Sequence, residues 1–191
     1  MRAVTLGFAL AALAIGSVSA QAPTEKSPAP AVPSLDDAMI FAMLEKANTA
    51  EIDLGDLAAK SGQSTEVRDL GKKFASDHAA ARQKAKDLAV KIGVTPGHPM
   101  EPMKDSSMSD HHADYAGSLN KLKELKGTEF DVAFVAREIE HHTKMLDAVE
   151  NKFLPAAKNP ELKALLTELK PSLQSHLDQA RALEKKLALG Q

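Results

Sequence analysis

Residues 159–190 read NPELKALLTELKPSLQSHLDQARALEKKLALG, and the fold is read outward from this stretch. Asn159 offers a side-chain oxygen to the first free N–H groups of a helix. Pro160 suits the first helical position, where an N–H has no partner anyway, and Glu161 favours the positive end of the helix dipole. From there Leu162, Leu166, Leu169, Leu173, His176, Ala180, Leu183 and Leu187 recur at alternating spacings of three and four. That is the period of one buried helix face. Gly190 ends the run, and Pro171 inside it is expected to bend the helix.

Three more stretches carry the same period. One is expected from Ser34, with Pro33 before it and Asp37 three residues on as a capping pair, to about Lys60, stopping at Gly62. Its stripe is Ile40, Leu44, Ala47, Glu51, Leu54 and Ala58. A second runs from near Ser64 to Gly93, with Val67, Gly71, Phe74, His78, Ala81, Ala85, Leu88 and Ile92. A third runs from Thr128 to about Ala157, with Val132, Val135, Ile139, His142, Leu146, Val149 and Phe153. The turns at Gly62 and Asn159 are short, so each joins antiparallel neighbours. The connection from Gly93 to Gly127 is long, and its second half, about Asp110 to Lys126, reads as a short extra helix. The fold class is therefore all-α: an antiparallel four-helix bundle with a long crossover between helices two and three, occupying residues 34–190.

Composition agrees. The 191 residues are 43% hydrophobic but only 4% aromatic, with no Trp and one Tyr, so the core is built from Leu, Ala, Val and Ile. The net charge of −2 comes without a basic patch, so nucleic acid is not an expected partner. The absence of Cys removes disulfides, thiolate catalysis and cysteine metal sites. No serine nucleophile elbow, phosphate loop or dinucleotide fingerprint occurs. Nothing in the sequence points to a protein partner.

The N-terminus reads as an export signal. Arg2 precedes an apolar run from Leu6 to Ile15, and Val18-Ser19-Ala20 has the small residues of a cleavage site. Cleavage after Ala20 leaves Gln21 first, followed by an Ala/Pro-rich disordered linker over 21–33. The expected location is the periplasm, or otherwise outside the cytoplasm, with no stable membrane insertion once the signal is cut.

Each stripe has one ionisable exception: Glu51, His78, His142 and His176. His142 and His176 each lie 17 residues from Asn159 and so share a level. Glu51 lies 11 residues before Gly62 and His78 16 after it, a mismatch of roughly one helical turn. Buried ionisable groups need partners or shift to their neutral forms. Two readings stay open. In one, the layer binds a transition metal ion (Fe, Mn, Zn or Cu), with Glu51, His78, His142 and His176 as ligands and Glu138, one turn before His142, as an auxiliary ligand. In the other, the layer is a metal-free structural network in a stress or interaction protein. Asp77 is read as lying outside the ligand set, and His141 as pointing off the seam. Asp131 is read as a cap for its own helix. The crossover residues His98, Met100, Met103, Met108, His111 and His112 form a weaker copper candidate, read chiefly as a polar linker.

Several landmarks together resemble a known group: Glu51 followed by Gly55-x-Leu57-Ala58; Phe74-Ala75-x-Asp77-His78; Phe130-Asp131 with His142 eleven residues on; and Pro171 with His176 five residues on. They resemble the ferritin-like domain-of-unknown-function family of exported bacterial proteins, often labelled as outer membrane proteins. The resemblance covers roughly Asp36 to Leu187. It implies a ferritin-like bundle and a periplasmic location, and carries no established activity. True di-iron bundles place a Glu on each of two helices and Glu-x-x-His on the other two. Here only Glu138 to His141 has that form, so ferroxidase or oxygenase chemistry is not expected.

Overall fold

A computed structural model describes residues 35–96 and 117–189, and every element in them is helical. Helix α1 (Asp37–Ser61) is capped by Asp36, whose carboxylate accepts from Met39 N at 2.8 Å. The start expected at Ser34 lies outside the described residues. Helix α2 (Thr65–Lys91) is capped by Ser64, as expected, and Gly93 just beyond it takes φ +70°. A short helix α3 (117–124) precedes α4 (Gly127–Ala148). Helix α4 continues through a π turn (Val149–Phe153) into one turn of helix, α5 (Leu154–Ala156). Helix α6 (Pro160–Ala188) starts at Asn159, which accepts from Glu161 N and Leu162 N, and carries Pro171 inside it.

The expected third helix is thus interrupted. Pro155 has no N–H for the carbonyl four residues back and its ring crowds that carbonyl. The wider π turn just before it relieves both problems, with Leu154 N bonding to Val149 O.

Helices α1 and α2 make the most extensive contact. Their closest approach is at two glycines. A Cβ on Gly55 would lie 2.6 Å from Gly71 O, and one on Gly71 would lie 2.6 Å from Gly55 O. Only hydrogen fits in that space, so these helices touch backbone to backbone one turn from Glu51 and Phe74.

Two carboxylates tie the elements together reciprocally. Asp37, in the first turn of α1, accepts from Lys158 N at 2.7 Å and Asn159 N at 3.0 Å, in the turn before α6. Asp131, just past the first turn of α4, accepts from Gln63 N and Ser64 N at 2.8 Å each, in the turn before α2. Asp131 therefore does not cap its own helix; it holds the turn before α2, which Ser64 caps, and α4 starts at Lys126 with no side-chain cap. Turning Asp131 inward swings Val132 out. Val132 was expected on the buried stripe but is 50% exposed, and Phe130 and Phe134 are buried in its place.

The core is divided. One apolar cluster gathers Ile40, Phe41, Leu44, Ala85, Val149, Phe153 and Leu166. The other gathers Leu54, Val67, Phe74, Phe130, Phe134 and Leu183, with Leu122 of α3 packed into it. Buried polar side chains occupy the level between them, and the two carboxylate clamps set which residues meet there. Among the described residues, no helix is long and apolar enough to cross a membrane.

Candidate metal centre

All five residues read from the sequence as candidate ligands, Glu51, His78, Glu138, His142 and His176, are buried. They form two groups that share His142. His78, His142 and His176 each offer a ring nitrogen within 4.8 Å of the others. Glu51, Glu138 and His142 do the same with one atom each. The one-turn mismatch between Glu51 and His78 explains the division. His78 pairs with Asn48, one turn before Glu51, and Glu51 turns to Arg137 of α4.

Each imidazole has one nitrogen already engaged. The Nδ1–H of His142 donates to the Glu138 carbonyl oxygen at 2.9 Å. Asn48 gives its own N–H to Leu44 O, so its oxygen accepts from His78 Nδ1–H at 2.9 Å. His176 Nε2–H donates to the Asp77 carboxylate at 2.8 Å. Burial pushes the Asp77 carboxyl up, but its bonds from Lys73 and His176 bring it below the usual range, so it is an acceptor. Asp77, expected outside the ligand set, does lie there and orients a candidate ligand. Phe74 stacks on His176 with ring centroids 4.2 Å apart and locks the ring.

Burial holds all three imidazoles neutral. His78 is lowered to about 4, and His142 and His176 are lowered too, in each case chiefly by burial. A neutral imidazole has one N–H, and in each ring the outer bond uses it. The nitrogens left over are His78 Nε2, His142 Nε2 and His176 Nδ1, all lone pairs. His142 Nε2 and His176 Nδ1 face each other at 3.2 Å. His78 Nε2 is buried with no hydrogen-bond partner among the described residues. Nitrogens 2.0–2.1 Å from one tetrahedral ion sit about 3.3–3.4 Å apart, the spacing of the His142–His176 pair, and with His78 within 4.8 Å of both the group could hold a metal ion. Outer-nitrogen bonds to carbonyl, amide and carboxylate oxygens are the usual support of ligating histidines.

The second group is balanced differently. Arg137 bonds to Glu51 Oε1 and, at 3.1 Å, to Glu138 Oε1. Burial pushes Glu51 up, but His141, Arg137 and His78 outweigh it and hold the carboxyl well below the usual range. Glu138 is raised well above it by burial and by the Glu51 charge. His141 does not point off the seam: its Nε2 lies 3.4 Å from Glu51 Oε1, and burial lowers it to about 3. Asn48, Arg137 and His141 were missed as site residues. The i, i+3 spacing of Glu138 and His141 was the one available signal. The crossover candidates His98, Met100, Met103, Met108, His111 and His112 lie outside the described residues.

A cavity of about 40 Å³ adjoins the layer, bordered by all four long helices and by Glu51, Asp77, His78, His141 and His176.

Comparison with known proteins supplies a family and a fold but no activity. The chain is similar to a DUF305 fragment from Deinococcus radiodurans, whose crystal structure superposes with a TM-score of 0.63 at 17% identity, covering 82% of this chain and 99% of that one. That likeness shows a shared helical fold. No curated protein matches the chain. The profile of one family, described as a domain of unknown function (DUF4142), matches residues 21–183. The chain belongs to the DUF4142 family.

Proposed function

We propose that the protein is an exported bundle that binds a transition metal ion, Fe, Mn, Zn or Cu, through the inward nitrogens of His78, His142 and His176. Glu51 and Glu138 are carboxylate ligands on the adjoining side. The observation that carries this reading is the placement of the three rings: one nitrogen of each is held on a fixed oxygen, and each offers a nitrogen within 4.8 Å of the other two. Imidazole nitrogens suit Zn and Cu, and the carboxylates extend the range to Fe and Mn.

The bundle is read as ferritin-like, with four long helices in antiparallel hairpins. Cross-helix pairs in each hairpin, Asn48 with His78 and His142 with His176, support this. The periplasmic location rests on the signal-like N-terminus, and the family match begins at residue 21, the expected mature start.

A specific observation favours the metal-free alternative of a structural polar layer. Arg137 already neutralises Glu51 and contacts Glu138, so half of the layer is balanced without an ion. The two readings part at His176→Leu. In a metal centre, metal raises wild-type stability by about 2.7 kcal/mol at a hundredfold excess over Kd, and the variant loses that gain while staying folded. In a structural layer, the variant costs about 1–3 kcal/mol whether metal is present or not. Thermal melts with and without chelator separate them, and a wild-type melt indifferent to chelator and to added Zn, Mn, Fe and Cu excludes the metal reading.

A further inference from the structure

The cavity beside the histidines is not accounted for by metal holding alone. A site that only stores or structures an ion closes its coordination shell with protein atoms, whereas one that meets an outside ligand keeps a position open. Here three nitrogens converge and the cavity abuts two of their rings, His78 and His176. His78 Nε2, on a residue only 6% exposed, has no hydrogen-bond partner among the described residues. The 40 Å³ of space holds more than one water-sized body, since about 10–15 Å³ measured the same way accommodates one. Apart from Asn48 and Ser172, the remaining walls are apolar: Leu44, Met145, Val149, Leu169 and Leu173, with the small Ala47 and Ala81. Ser172 at its border is solvent-exposed and Asp77 partly so, which gives a route from outside.

We propose that this cavity seats one small exogenous ligand on the open position of the bound ion, of two or three heavy atoms: a diatomic molecule, a peroxide or a linear triatomic anion. The inference rests on the metal reading above. Size sets the class, because Ala47 and Ala81 leave room that a larger side chain would fill. The walls offer few donors, so the ligand is held by the ion and not by hydrogen bonds. Ala47 of α1 and Ala81 of α2 belong to no ligand set or hydrogen bond described above, so enlarging them closes the cavity and spares the imidazoles.

The test uses mature protein loaded with Co(II), whose visible spectrum reports coordination, titrated with azide. In the wild type, azide produces a saturable spectral change. Ala47→Leu and Ala81→Leu, made separately in case one fails to fold, keep the Co(II) stoichiometry and weaken azide binding at least tenfold. A Co(II) complex whose spectrum ignores azide overturns the proposal while leaving the metal reading intact. So do filled variants that bind azide like the wild type. No Co(II) uptake at all removes the metal reading, and this inference with it.

Discussion

Replacing Arg137 with Met removes the standing cation of the layer. The Glu51 and Glu138 side chains are each 1% exposed, and the Arg137 side chain bonding both is 13% exposed. The nearby imidazoles cannot substitute at neutral pH, because burial lowers His141 to about 3 and His78 to about 4. Arg137→Met therefore strands a buried carboxylate, at a cost of about 3–5 kcal/mol in metal-free protein near pH 7. The pH dependence then changes sign. In the wild type, Glu51 has a folded-state pKa below its unfolded value, so its contribution is present above about pH 4.3 and is lost only as pH falls through the folded value. In the variant, burial acts unopposed by Arg137 and raises Glu51 above its unfolded value. The folded state then binds the extra proton, and acidification from about pH 7 to about pH 5.5 recovers part of the loss. Urea unfolding of both proteins at the two pH values measures the gap between them, which cancels histidine effects common to both. A gap below about 1 kcal/mol near neutrality, or one that does not narrow on acidification, refutes the assignment of Arg137 as the internal counter-ion.

The histidines make a second acid-linked contribution. His78 titrates near 4 in the folded state against about 6.5 unfolded, so its neutral form contributes fully above pH 6.5, and about 3 kcal/mol is lost as pH falls through 4. Circular dichroism of metal-free protein should show acid unfolding that His78→Leu makes shallower; an unchanged acid limb contradicts this. Asp131→Ala removes two hydrogen bonds to a buried carboxylate and should cost about 2–4 kcal/mol, more than Asp37→Ala at the more exposed clamp; equal losses in urea would show that burial does not set their worth. Sequencing the N-terminus of exported protein should begin at Gln21, and full-length chain retained in the inner membrane rules out cleavage there.

Much of the fold was legible because helix punctuation is local. Asn159 with Pro160, Ser64 before α2, and the three-four stripes needed only nearest-neighbour chemistry; the structure agrees at both caps and along the stripes of α2 and α6 in the main, but not at Val132 of α4. The π turn was not legible, since it answers the demand of Pro155 on the turn before it. The partner of Asp131 was hidden for a different reason: its donors lie 67 and 68 residues away, and a carboxylate near a helix start looks like a local cap. In the site, the four stripe exceptions were visible as polar residues on an apolar period. Arg137 and His141 were not, because neither falls on the three-four stripe and each reaches the layer by the length of its side chain. Asn48 has the same history: its role exists only because Leu44 O fixes its amide and His78 needs an acceptor.

The central claim concerns three protons, and long-range ¹H–¹⁵N NMR of the imidazoles reads them directly. Metal-free protein near pH 7 should show neutral rings, with N–H at Nδ1 of His78 and His142 and at Nε2 of His176. Adding Zn(II) should then shift His78 Nε2, His142 Nε2 and His176 Nδ1. A doubly protonated His176, donating to both Asp77 and His142 and unmoved by Zn(II), contradicts it and makes the layer a hydrogen-bonded structural network.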